Sequence, residues 1–208
     1  MIRTPRSRRF VPGTTGWTED DLNDPHLEQL WDRGGFEIVE GVLAKMPAAY
    51  LEGSLPLRRL TRQVERHLEE NSLTGEFAFE VDMVIDRIRI PRVDAVFLTP
   101  DQLRRQAELQ AARKRRTPVQ YGRLRVAPEI VIESISIGHE LHDRQTKRGW
   151  YARFGVKNYL LLDPFRRTLD CLQLAEGDYR TVAHGKDQDE LATTLFGGLR
   201  ILLGSLWI

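Results

Sequence analysis

Residues 128–164 read PEIVIESISIGHELHDRQTKRGWYARFGVKNYLLLDP, and the order of patterns in this stretch decides the fold. IVIESIS (130–136) holds four Ile or Val residues and lies between Pro128 and Gly138, so it reads as a strand. GHELHDRQTKRGWYARFG (138–155) reads as a helix closed by Gly155 as its C-cap. VKNYLLLD (156–163) is a second buried strand, stopped by Pro164. Glu133 sits in the middle of the first strand. An ionised carboxylate buried without a partner is strongly destabilising. Either that strand lies at an edge with Glu133 in water, or a neighbouring group needs the charge.

The neighbouring segments extend the pattern. Leu57, Leu60, Val64 and Leu68 recur at spacings of three and four, which predicts a helix over 52–71 with Pro56 near its first turn. Three strand-like pieces follow at 76–85, 87–91 and 93–98, with Asp86 and Arg87 at a turn. Upstream, the acidic segment 17–32 reads as a helix capped by Thr18, with Leu27, Leu30 and Trp31 as its apolar stripe. FEIVEGVLAKM (36–46) reads as two short strands turning at Glu40-Gly41. Downstream, Pro164 and Gly177 bracket a hairpin with strands near 168–174 and 179–183. The final LFGGLRILLGSLWI reads as a closing strand or short helices on the core. The core order is αβββαβ, an α/β fold in which a mixed central sheet carries a helix on each side.

Composition narrows the function. A net charge of +1 announces no bulk nucleic-acid or membrane partner. Cys171 is the only cysteine, which excludes an internal disulfide, argues against a cysteine-based zinc site and suits a reducing cytoplasm. No segment approaches the roughly 20 apolar residues of a membrane span. MIRTPRSRRF carries four arginines and no acid, and no apolar run follows, so residues 1–16 read as a disordered basic tail rather than a secretory signal. Charge also concentrates between Arg104 and Arg125, with eight Lys or Arg and one acid, Glu108. This basic helical insertion, 101–125, is either a solvated surface element or a phosphate-binding arm.

The familiar phosphate-loop, dinucleotide and nucleophile-elbow motifs are missing. HELHD (139–143) spaces its histidines three apart, whereas a zincin helix needs four. Two carboxylates in apolar strands remain, Asp94 in RVDAVFL and Glu133 in IVIESIS. On neighbouring strands they would repel unless a cation joined them, and Mg²⁺ suits carboxylate oxygens, waters and phosphate. The alternative is a pair of edge residues facing solvent. On a helical wheel Asp143, Trp150, Tyr151 and Phe154 fall within about 60° of Lys147. Asp143 and Lys147 therefore either form an i,i+4 salt bridge or send the ammonium toward Glu133. Glu140, Arg144 and Arg148 repeat every four residues as surface ion pairs.

GFEIVEGVLAKM, RVDAVF, PEIVIESIS and DRQTKRGWYARFGVKNYLLLDP, in that order, resemble the Uma-type restriction endonuclease-like family of the PD-(D/E)XK nuclease superfamily. The resemblance covers roughly residues 17–185, and the superfamily core is αβββαβ. It implies one nuclease-like domain over 17–208 that hydrolyses nucleic-acid phosphodiesters, DNA above all. Asp94 matches the first acid of the motif and Glu133 the second. The resemblance implies Mg²⁺, or Mn²⁺ in its place, on Asp94, Glu133 and the backbone carbonyl of Ser134. The superfamily lysine follows two residues after the second acid, where this chain has Ile135. In this family a helix lysine stands in, and that position matches Lys147, with Asp143 and Tyr151 one turn to either side. Glu37 matches a recurrent glutamate of the early strand. Arg113, Lys114, Arg115 and Arg116 are the expected nucleic-acid contacts, and a homodimer suits enzymes of this superfamily that cut both strands. Three positions depart from the family pattern: Val93 and Ile137 stand where proline is usual, and Gly53 stands where a histidine is common. The competing expectation is an inactive nucleic-acid-binding or assembly module on the same fold.

Overall fold

The computed structural model describes residues 10–47, 50–114, 122–136 and 142–207. A 3-10 turn (Glu19–Asn23) leads into α1 (Pro25–Gly34), the hairpin strands β1 (Phe36–Val39) and β2 (Val42–Lys45), and the long helix α2 (Leu51–Glu70). β3 (Glu76–Asp82), β4 (Arg92–Leu98), α3 (Pro100–Lys114) and β5 (Ile130–Ser134) follow. A π-helical turn (His142–Lys147) runs into α4 (Arg148–Phe154), then β6 (Asn158–Asp163), β7 (Thr168–Ala175) and β8 (Asp178–Lys186). β9 (Glu190–Ala192) and β10 (Arg200–Leu202) form a last hairpin.

The main sheet has the order β3-β4-β5-β6-β7-β8. β5 and β6 pair in parallel and the other neighbours antiparallel. A parallel pair needs a crossover, and the chain between β5 and β6 supplies it through α4. The expected αβββαβ order is present as α2, β3, β4, β5, α4 and β6.

Alternation along the strands splits the core in two. Ile130, Ile132, Ala95 and Phe97 point to the α2 side, where Leu60, Val64 and Leu68 meet them. The terminal residues Leu199, Ile201, Leu203 and Trp207 close that layer. Val131, Ile135 and Val96 point to the other side, against Trp150 and Tyr151 of α4. Cys171 lies in the first layer, and burial, then the Asp170 charge, pushes its thiol up to about 12. A third cluster of Trp17, Leu22, Trp31, Phe36, Ile38 and Leu43 fixes the β1–β2 hairpin over one end of the sheet.

Several local expectations are corrected. The acidic segment 17–32 forms two elements, because Asp24 caps α1 by accepting from the His26 N–H at 2.9 Å. The strand expected at 87–91 is a turn region with isolated bridges Asp86↔Arg89 and Ile38↔Ile90. α2 begins at Leu51, so Pro56 sits inside the helix rather than in its first turn. It is tolerated there because its ring is buried and only one early hydrogen bond is lost. Phe10, expected in the tail, packs instead, meeting Trp17 and Phe36 edge-on at 5.3 Å and 4.6 Å. Residues 1–9 lie outside the described residues.

A buried ion network ties this outer layer to the sheet. Arg123 donates to Glu28 at 2.8 Å, and both side chains are 4% exposed. Arg123 Nε lies 3.9 Å from Asp82, which also accepts from Trp31 Nε1 at 2.5 Å and Arg92 Nε at 2.7 Å. Glu28→Ala leaves a guanidinium in the interior without this carboxylate, and such losses run to about 3–5 kcal/mol. Chemical denaturation should show that drop. A change below about 1 kcal/mol, the size of an exposed pair, would mean that the pair is solvated.

Candidate active site

β4 and β5 bring Asp94 and Glu133 together. Their register pairs Ala95 with Ile132, so Asp94 and Glu133 occupy the next facing positions. The Ser134 N–H donates to Asp94 Oδ2 at 2.7 Å. The Asp94 carboxylate therefore rests on the peptide that follows Glu133.

The backbone changes face at this point. Val93 packs on the α4 side of the sheet, whereas Ala95 packs on the α2 side. Opposite them, pairing runs from Phe79↔Ala95 to Val81↔Val93, and Glu80 between has φ 51°. A left-handed glutamate in a strand is a strained irregularity of the kind that clusters at functional sites. It places Asp94 where two clefts meet rather than on one regular face.

Glu133 is 2% exposed. Its Oε1 accepts from the Tyr151 hydroxyl at 2.5 Å and from Lys147 Nζ at 3.2 Å. Lys147 Nζ also lies 3.1 Å from Glu37 Oε1, and Glu37 Oε1 accepts from the Arg92 N–H at 3.1 Å. Lys147 and Glu37 are both buried. An ammonium between two buried carboxylates offsets part of their desolvation. Burial, and next the Glu133 charge, hold the Tyr151 phenol well above its ordinary value, so it stays a hydrogen-bond donor. Glu37, Glu133 and Lys147 line a cleft of about 420 Å³ with Asp94, Ser134 and Ser136, walled by Val39, Val42 and Met46 of the hairpin segment.

Lys147 thus reaches Glu133 and Glu37. Asp143 lies in the same π-helical turn, and its side chain is outside the described residues. That wider turn departs from the 100° step used to place Asp143 and Lys147 on one stripe. The expected i,i+4 pairing of Glu140 with Arg144 falls on Glu140, outside the described residues. Arg144 binds Asp170 at 2.8 Å and Arg148 binds Asp178 at 3.3 Å, because the adjoining strands present carboxylates. Glu140 and Ile137 lie outside the described residues, as do His139 and Leu141 of HELHD. Arg113 pairs with Glu19 at 2.6 Å, and Lys114 is exposed. Arg115 and Arg116 lie outside the described residues.

Ile135 and Gly53 have local explanations. Ile135 is 2% exposed in the layer that holds Trp150 and Tyr151. A lysine there would bury its ammonium among rings. At Gly53 a Cβ would meet Ser134 Oγ at 3.0 Å, so a larger residue needs Ser134 to give way. Residue patterns did not single out Glu80 or Ser136, because neither carries a spacing signal.

The donor set around Asp94 fits Mg²⁺: oxygen ligands, two carboxylates on adjacent strands and open space beside them. Among the described residues no group of three or more His, Cys, Asp or Glu assembles as a metal cage. An ion bound here would keep waters in its shell, as Mg²⁺ does.

The Uma2 family model, described as "Putative restriction endonuclease", matches residues 26–204. Among solved structures, a protein of Anabaena variabilis ATCC 29413 described as "a putative nuclease belonging to DUF820" is similar with a TM-score of 0.63. It is 13% identical and the likeness covers 88% of this chain and 96% of that one, which speaks for the fold. No curated protein matches. Among the described residues no helix is long and apolar enough to cross a membrane.

Proposed function

This chain belongs to the Uma2 restriction endonuclease family, and on that premise we propose that it is a metal-dependent endonuclease acting on nucleic acid, in the first instance DNA. The observation that carries the proposal is the meeting of Asp94, Glu133 and Lys147 at one cleft. Asp94, Glu133 and the Ser134 carbonyl would hold Mg²⁺, or Mn²⁺, which when bound supplies Lewis acidity at phosphate and a water of lowered pKa.

The chain's own groups then have separate tasks. Lys147 offers N–H donors to the attacking water or to charge developing on a phosphate oxygen. Tyr151 holds one oxygen of Glu133 and so fixes the carboxylate at the cleft. Glu37 keeps the ammonium near Glu133 when phosphate competes for it. Lys114, with Arg115 and Arg116 beyond it, supplies phosphate contacts that position the strand. Arg113 joins them by exchanging Glu19 for phosphate.

A non-catalytic binding module is the second reading. It is favoured by the way Ser134, Tyr151 and Lys147 already satisfy the two carboxylates. Incubation with supercoiled plasmid separates the two. Nicked or linear product with Mg²⁺ or Mn²⁺, and none with EDTA, supports the nuclease. DNA retention without product in either metal supports the binding module, and cleavage that persists in EDTA excludes the metal-dependent route.

A further inference from the structure

Asp94, Ser134 and Ser136 belong to two clefts at once. Beyond the one that Lys147 lines, a second groove of about 250 Å³ opens on the α2 side, lined by Tyr50, Leu57, Arg58, Phe79 and Glu80. Its aromatic residues are not buried: Tyr50 is 53% exposed and Phe79 is 39% exposed. Phe79 is braced by Phe77, stacked at 6.2 Å and 28°. The Arg58 guanidinium lies 5.6 Å from the Phe79 ring centroid. Gly53, without a side chain, borders the passage from this groove to Ser134.

We infer that this groove is a nucleotide subsite that takes an unpaired base of the substrate strand, stacked on Phe79 and Tyr50, next to the phosphate at Asp94. This rests on the nuclease reading for the position of that phosphate. A flat π-surface has a use when a base face is free, and in a duplex the faces are covered by neighbouring base pairs. The Arg58 guanidinium lies over the Phe79 ring, so a base stacks against the planar guanidinium or displaces it toward the phosphate of the bound nucleotide. Depth points the same way. Glu133, Lys147 and Glu37 are at most 5% exposed, and apolar hairpin residues wall the cleft above them. Phe79 lines one cleft and Val39 and Met46 line the other, and the two share Asp94, so a strand with its phosphate at Asp94 finds apolar surface in both. The wide rod of a paired duplex presents its phosphates at the outside of stacked pairs.

The substrate class is therefore nucleic acid with an unpaired stretch at the scissile bond. Binding is measured in EDTA, where no metal-dependent cleavage occurs, by anisotropy of a short fluorescein-labelled oligonucleotide. The same sequence is tested as single-stranded DNA, single-stranded RNA and blunt duplex DNA. The single strand should bind more tightly than the duplex. Phe79→Ala and Tyr50→Ala should each weaken single-strand binding by about tenfold or more while moving duplex binding little. Phe79→Leu, which keeps apolar area without a π-face, should recover less than Phe79→Trp. A 2-aminopurine placed in the strand should lose fluorescence on binding, and Phe79→Ala should restore it. The DNA and RNA arms decide which strand chemistry is preferred. Duplex binding equal to or tighter than single-strand binding, or unchanged affinity in both alanine variants, overturns the subsite. If the stacking signals hold but no oligonucleotide is cut with Mg²⁺ or Mn²⁺, the subsite stands and the nuclease reading fails. If duplex is cut as readily as single strand, the nuclease reading stands and the subsite fails.

Discussion

Asp94→Ala is expected to lower Mg²⁺-dependent cleavage to background, a loss of about 10³-fold or more. Asp94 is the carboxylate on β4 that meets the Glu133–Ser134 peptide, so its loss removes one of the two carboxylates proposed to hold the ion. The alanine variant also leaves the Ser134 N–H without that acceptor, which is worth about 1–3 kcal/mol of stability. Asp94→Asn separates the two effects. Its amide oxygen can still accept from Ser134 at the observed 2.7 Å, while the charge is gone. The asparagine variant should therefore melt close to the parent and cut no better than alanine. Undiminished plasmid cleavage by either variant would falsify the assignment of Asp94. Activity recovered by asparagine alone would make the residue a structural acceptor.

Lys147→Ala should cost both activity and stability. Nζ lies 3.1 Å from Glu37 and 3.2 Å from Glu133, all three side chains being buried. Removing the ammonium from between the two carboxylates should destabilise the fold by about 3–5 kcal/mol. Cleavage should fall by about 10²–10³-fold, the usual scale for one preorganised donor. Adding Glu37→Gln should return part of the stability, because glutamine removes one of the two charges and still accepts from the Arg92 N–H. It should not return cleavage. A double variant no more stable than Lys147→Ala in denaturant titration argues against charge compensation at this site. Recovered cleavage argues against Lys147 as the donor.

Glu133 and Lys147 show how far pattern reading reached. A carboxylate in an apolar run and a lysine on an aromatic stripe each stood out against local composition, because burial of charge is unfavourable unless a partner waits nearby. The αβββαβ order followed from periodicity and from Pro and Gly at the element ends. Pro56 inside α2 and the split of 17–32 into a 3-10 turn and α1 were less apparent, since both depend on hydrogen bonds that local propensity ranks only weakly.

The sequence by itself determined the order of the core elements and the two carboxylates in apolar strands, Asp94 and Glu133, that had to be answered for. Each of these is written in residues within a few positions of one another, where spacing becomes direction. Only the tertiary structure decided that Asp94 sits at a face switch beside left-handed Glu80. It also decided that Glu37, distant in sequence, shares the ammonium with Glu133, and that the aromatics Tyr50 and Phe79 line a groove ending at Asp94. Those relations join segments through strand register and helix packing, and no local pattern records which distant side chain will arrive at a given face.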